Sequence, residues 1–195
     1  MSEQRTQTGL RSRRRRPPWQ AAVWLASLAA VLIPLLPACA QESLATDVKA
    51  TYLYKLAPFI DWPTGAFAGP QSPFAICVVG KDPFGSVLDR ATAGQQVAGH
   101  LIVVRRMATA DRSAGCQIVY LGGGAHVKEA LLAVHGAPVL TVTDQANPPG
   151  VVDFAIDRGR VQFRIDEQAA AENGLTVSSK LLSLALSVKP RRAGS

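Results

Sequence analysis

The chain has 195 residues, enough for one ordinary domain, and carries 21 basic and 14 acidic residues for a formal charge of +7. The charge is uneven: residues 1–40 hold six arginines and one acid, Glu3, whereas residues 41–195 hold fifteen basic and thirteen acidic side chains. A nucleic-acid-binding domain needs a basic patch in its folded part, and the small pairs Arg105-Arg106 and Arg191-Arg192 do not make one, so that class is excluded.

The basic start reads as an export leader. Arginines at 5, 11 and 13–16 precede an apolar run, Trp19 to Leu36, and then the small residues Ala38-Cys39-Ala40. That is the order of a signal peptide, with cleavage before Gln41. Two alternatives stay open. The apolar run is long enough to remain as a membrane anchor, and Leu36-Pro37-Ala38-Cys39 is a poor lipidation box that would leave Cys39 as a lipidated terminus. Pro34, Pro37 and the Ala-x-Ala site favour cleavage. The expected organisation is a signal peptide at 1–40 and one domain at 41–195, with its core at about 48–188. Export predicts an oxidising compartment. Without Cys39, Cys77 and Cys116 remain. An even pair in a secreted domain reads as a disulfide, the alternative being two buried free thiols. The three histidines, His100, His126 and His135, are too scattered for a metal site.

In chain order, Glu42 to Trp62 reads as a helix. Val48, Tyr52, Leu56, Phe59 and Ile60 fall at helical spacing, Thr46-Asp47 supply a cap and first-turn charge, and Trp62-Pro63 ends it. After a Gly/Pro/Ala loop, Phe74 to Val79 is an unbroken apolar run and reads as a buried strand. Asp82 is placed to cap a short helix from Pro83 that carries Phe84, Val87 and Leu88. Leu101–Arg106 and Cys116–Leu121 read as strands. Gly122-Gly123-Gly124 then leads into a helix, Ala125 to His135. A glycine loop there can cradle a phosphate, but it fits no phosphate-binding fingerprint, and the reading as a simple turn is preferred. Pro138–Asp144 is a fourth strand. Val151–Ile156 and Arg160–Ile165 flank Asp157-Arg158-Gly159 as a hairpin. Asp166 caps a helix that ends at Asn173-Gly174. Leu175–Val177 is extended, and Ser178-Ser179 cap a last helix, Lys180 to Val188, with Leu181, Leu182, Leu184 and Leu186 buried. The alternation predicts an α/β fold: a single domain with a mostly parallel central sheet, a β-hairpin near one edge and helices on both faces.

No catalytic arrangement rises above background. There is no nucleophile elbow, Cys77 lies within a strand, and Asp61 and Asp144 stand at element ends with no matched second group. No catalytic residue, metal or cofactor is expected.

Six ordered blocks resemble a known family: VKATYLYKLAPFIDWP, FAICVVGKDPFGSVLD, CQIVYL, PVLTVTD, VDFAIDRGRVQFRID and AENGLTVSSKLLSLA. Together they are similar to the periplasmic YfiR-like family, a DUF4154-type domain, over roughly Val48 to Val188. The resemblance implies an α/β sheet flanked by helices and a regulatory, non-enzymatic role in the periplasm. It implies binding to the periplasmic region of an inner-membrane diguanylate cyclase, with cyclic-di-GMP synthesis and biofilm held down. It further implies relief by an outer-membrane lipoprotein, and homodimers. The Cys77/Cys116 spacing resembles one disulfide of the family's best-known member, whose second bridge has no counterpart here. Pro149-Gly150 stands where the family often has Gly-Gly. Tyr54, Phe59 and Trp62 are the candidate partner-binding anchor, the alternative being that they pack in the core. The competing expectation is a periplasmic small-ligand-binding module, its ligand at the carboxyl ends of the strands.

Overall fold

The computed structural model describes residues 38–123, 126–144 and 147–192, with side chains from residue 43 onward. The expected leader therefore lies outside the described residues, apart from the backbone of its last three positions. No described helix is long and apolar enough to cross a membrane.

The first helix, α1 (Ala38–Lys55), buries Ala50 and Leu53 on the sheet. It ends seven residues before the expected Trp62. Pro58 is the cause: inside a helix it would remove one backbone hydrogen bond and crowd the preceding turn. The chain instead makes a 3-10 turn over Ala57–Phe59 and enters a short strand, β1 (Ile60–Asp61). Thr46 and Asp47, expected as a cap, lie inside α1, where Asp47 accepts a hydrogen bond from the Thr51 hydroxyl.

β2 (Phe74–Val79) is buried at all six positions. Alternation along the strand sends Phe74, Ile76 and Val78 to one face and Ala75, Cys77 and Val79 to the other. A turn follows in which Asp82 Oδ1 accepts from the backbone N–H of Phe84 (2.7 Å) and of Gly85 (3.1 Å). The helix behind it, α2 (Ser86–Thr92), starts three residues later than expected. A two-residue strand, β3 (Gln96–Val97), pairs antiparallel with the start of β4 (His100–Met107), an edge the sequence reading did not contain. β5 (Ile118–Leu121), α3 (Val127–Val134) and β6 (Leu140–Asp144) follow as expected. β7 (Val152–Asp157) and β8 (Arg160–Asp166) form the hairpin, with Asp157 opposite Arg160. Both turn residues, Arg158 and Gly159, have positive φ, the requirement of the two-residue turn whose twist matches the strands.

Asp166 caps α4 (Glu167–Glu172) by accepting from the Ala169 N–H at 3.0 Å. β9 (Thr176–Val177) pairs antiparallel with β1. Ser178 caps α5 (Ser179–Leu182), which ends six residues before the expected Val188. The chain turns out and Ser187–Lys189 runs as a further strand, β10, parallel to β8. Leu181 is buried as expected, but Leu184 is 63% and Leu186 41% exposed. Leu184 and Leu186 lie in the connection between α5 and β10, where no helix face carries them onto the core.

Among the described residues the main sheet has eight strands in the order β10-β8-β7-β6-β5-β2-β4-β3. The pairs from β4 through β7 are parallel, as is β8 with β10; the hairpin and the β3–β4 pair are antiparallel. All of these strands lie within one compact unit, Cys39–Ser195. One face is covered by residues of α1, α2, α4 and α5, including Leu53, Leu88, Ala170 and Leu181. The other is covered by α3, through Val127, Ala130 and Val134. Each fully buried Leu or Phe contributes about 2 kcal/mol over its exposed state. The expected α/β architecture, with helices on both faces and the hairpin near one edge, is the architecture observed.

Candidate functional site

β2 and β5 lie side by side and their onward connections diverge. From β2 the chain passes through α2 to β4 on one side; from β5 it passes through α3 to β6 on the other. In an open α/β sheet such a divergence leaves a crevice beyond the carboxyl ends of the two strands. Two arrangements of side chains occupy that edge, one on each face.

On the α3 face lies a cavity of about 490 Å³. Val79 and Leu121, the last residues of β2 and β5, line it together with Val127 and Ala130 of α3. Its walls are largely alanine and glycine, so the space exists because the lining side chains are short. Glu129 and His126 are its ionisable members. Packing explains the first glycine of the run: a Cβ on Gly122 would stand 1.8 Å from the carbonyl oxygen of Lys81. The two loops leaving β2 and β5 touch backbone to backbone, and only glycine permits that approach. Gly122 N–H is already donated to Val79 O at 2.9 Å. At Gly122 this is the geometry of a connection between elements; Gly124, the last of the run, lies outside the described residues.

On the opposite face, Lys49 of α1 donates to Asp144 Oδ2 at 2.6 Å across the end of β6. Asp144 Oδ1 is buried and, among the described residues, has no hydrogen-bond partner. Beside it the buried Tyr120 ring meets Phe84 edge-on at 4.7 Å. Burial, reinforced by the Asp144 charge, holds the Tyr120 phenol well above its ordinary range. Sequence reading noted Asp144 without its partner. Lys49, 95 residues away, carried no local signal, because α1 is brought there only by the fold.

Close by, Arg106 of β4 clamps α2. It donates to Asp82 Oδ2 (2.8 Å), to both oxygens of Asp89 (2.6 and 3.1 Å) and to Gly85 O (2.6 Å). The Arg106 hydrogen bonds hold the Asp89 carboxyl below its ordinary value. The buried acid Asp153 is likewise taken up, by the Thr143 hydroxyl (2.9 Å) and by Arg164 (3.1 Å). These carboxylates are tied into structural pairs.

The aromatic trio does not gather at that edge. Trp62 donates its indole N–H to Ala57 O at 3.2 Å and packs edge-on against Phe74 at 5.5 Å. Phe59 lies under Lys180 of α5, whose Nζ is 5.7 Å from the ring centre. Tyr54, Phe59 and Trp62 are all half-buried and packed against the core, so each has one side inside and one side out. Leu184, one turn beyond Lys180, adds exposed apolar surface near the end of α5.

Cys77 and Cys116 are joined in a disulfide with their Cα atoms 5.9 Å apart. It ties β2 to the residues entering β5 within the α3-side core. The three histidines stand apart: His100 stacks on Phe67 at 4.1 Å, His135 faces Glu172 at 3.3 Å, and His126 lines the cavity. Among the described residues no group of three His, Cys, Asp or Glu side chains is placed to hold a metal.

These features define an α/β protein with a mostly parallel, doubly covered sheet, a disulfide between its central strands and a crevice at their carboxyl ends. The chain belongs to the YfiR/HmsC-like family, whose profile matches residues 46–186. No curated protein matches it.

Proposed function

We propose that this protein is exported to the periplasm through a cleaved signal peptide and acts there by binding and restraining a membrane-bound signalling enzyme, a diguanylate cyclase in the first instance. Family membership over residues 46–186 carries this reading. The disulfide supports it, because such bonds persist in oxidising compartments. Half-buried Phe59 lies under Lys180, an apolar anchor next to a cation of the kind found at interface hot spots, and Trp62 and the exposed Leu184 offer further apolar surface. On the face opposite the cavity, Asp82, Asp89 and Asp144 are held by Arg106 and Lys49, which suits a binding protein. An outer-membrane lipoprotein competing for the same surface, and a homodimer, belong to the same proposal.

The test is capture from solubilised inner membranes with the processed chain as bait, followed by measurement of cyclic-di-GMP in a deletion strain. Capture of a cyclase and a rise in cyclic-di-GMP are expected. Unchanged cyclic-di-GMP in a strain that encodes the captured cyclase overturns the proposal.

The cavity beyond β2 and β5 favours a second reading alongside the first, a small-ligand module. Its volume and apolar lining match those of small-molecule sites, and it lies where this class of sheet binds ligands.

A further inference from the structure

We propose that the cavity on the α3 face takes a small molecule with an apolar body and a cationic amine. The proposal rests on the ligand-binding reading above and assigns the chemical class. Val79, Leu121, Val127 and Ala130 present hydrocarbon to the interior, and a body of one ring or a short alkyl chain fits about 490 Å³. Glu129 is the carboxylate of the lining, and among the described residues no lysine or arginine lines the cavity. The amino end of α3 stands at the same edge and contributes a partial positive charge of about half a unit. Glu129 sits in the first turn of α3, and its full charge outweighs that fraction. With histidine counted as neutral, the described lining, His126 included, therefore carries one net negative charge. Phosphates and carboxylates are disfavoured and an ammonium group is attracted. The short lining side chains leave room for the body, and Glu129, exposed at the rim, lets the amine keep part of its water.

The test is calorimetric titration and thermal shift on the purified chain with phenethylamine and hexylamine. Their shape-matched acids, 3-phenylpropanoate and hexanoate, and the corresponding alcohols run alongside. Both amines should raise the melting temperature and bind roughly fivefold tighter than the alcohols, the scale of one exposed ion pair, with the acids weaker still. Glu129→Gln should remove the preference for amines while the alcohols bind as before. Ala108→Trp, at an exposed position on the cavity wall, should abolish binding of all probes without disturbing the core. Alcohols or acids binding as tightly as amines overturns the amine assignment and leaves a ligand site. No binding of any probe, or binding unchanged in Ala108→Trp, overturns the ligand-binding reading together with it.

Discussion

Gly122 stands where two loops meet, and its missing side chain is what lets them meet. Gly122→Ala is expected to cost about 3 kcal/mol, the upper end for forced overpacking against backbone that cannot step aside. Urea denaturation would show the loss, whereas Gly123→Ala, with open space around its Cβ position, should be nearly silent. Tyr120 sets a pH limit of a different kind. Its phenol is held protonated in the fold, above the ordinary value of 10.0. A group whose folded pKa is raised contributes fully below the unfolded value and loses that contribution as pH climbs past it. Stability should therefore fall above pH ~10, by up to about 1.4 kcal/mol per pH unit for this one proton. Tyr120→Phe should flatten that alkaline limb in a series of denaturant titrations. At the surface, Leu184→Glu should leave the melting temperature unchanged, since Leu184 is already exposed. In membrane capture it should weaken partner binding by about tenfold or more, and unchanged capture removes Leu184 from the proposed contact.

At the scale of elements, the hairpin offers the plainest prediction. Arg158 adopts a left-handed conformation at φ 48°, which costs a branched-free but Cβ-bearing residue about 1 kcal/mol. Asn tolerates it better, so Arg158→Asn should raise the melting temperature by a few degrees, read by calorimetry. The same segment shows why parts of this fold were legible in the sequence. A turn flanked by two alternating runs states its own pairing, and Asp166 and Ser178 each cap the helix that follows them by local hydrogen bonds. Where the deciding partner is distant, sequence reading overran. The helical spacing of Phe59 and Ile60 argued for one long helix, but Pro58 breaks it and Ile60 pairs with Val177. The leucines after Leu182 looked like a helix face, yet Ser187–Lys189 is recruited by β8. Two-residue strands such as β3 carry too short a pattern to be seen. The cavity was invisible for a related reason: it is made by short side chains from three separate stretches, and an absence of bulk leaves no motif.

For the whole molecule, the decisive link is the bond between Cys77 and Cys116, which closes a loop of 39 residues between the two central strands. In the chain-entropy account, a loop of that length stabilises by about 4 kcal/mol. Replacing both cysteines with alanine should lower the unfolding free energy by that order, and a reductant should do the same to the wild-type chain while leaving the double variant unmoved. The central sheet and its apolar layers were legible because the strands are continuous hydrophobic runs. The placement of Lys49 on Asp144 was not, because it depends on how α1 lies across the finished sheet. A cross-link that forms only after synthesis also gives the protein two lives. Ordinary domains hold a reserve of roughly 5–15 kcal/mol, so a newborn chain lacking this contribution is soft. On the proposed route that softness is useful, since a translocase can pull such a chain straight, and the finished product, once oxidised outside, resists being threaded back or clipped by proteases.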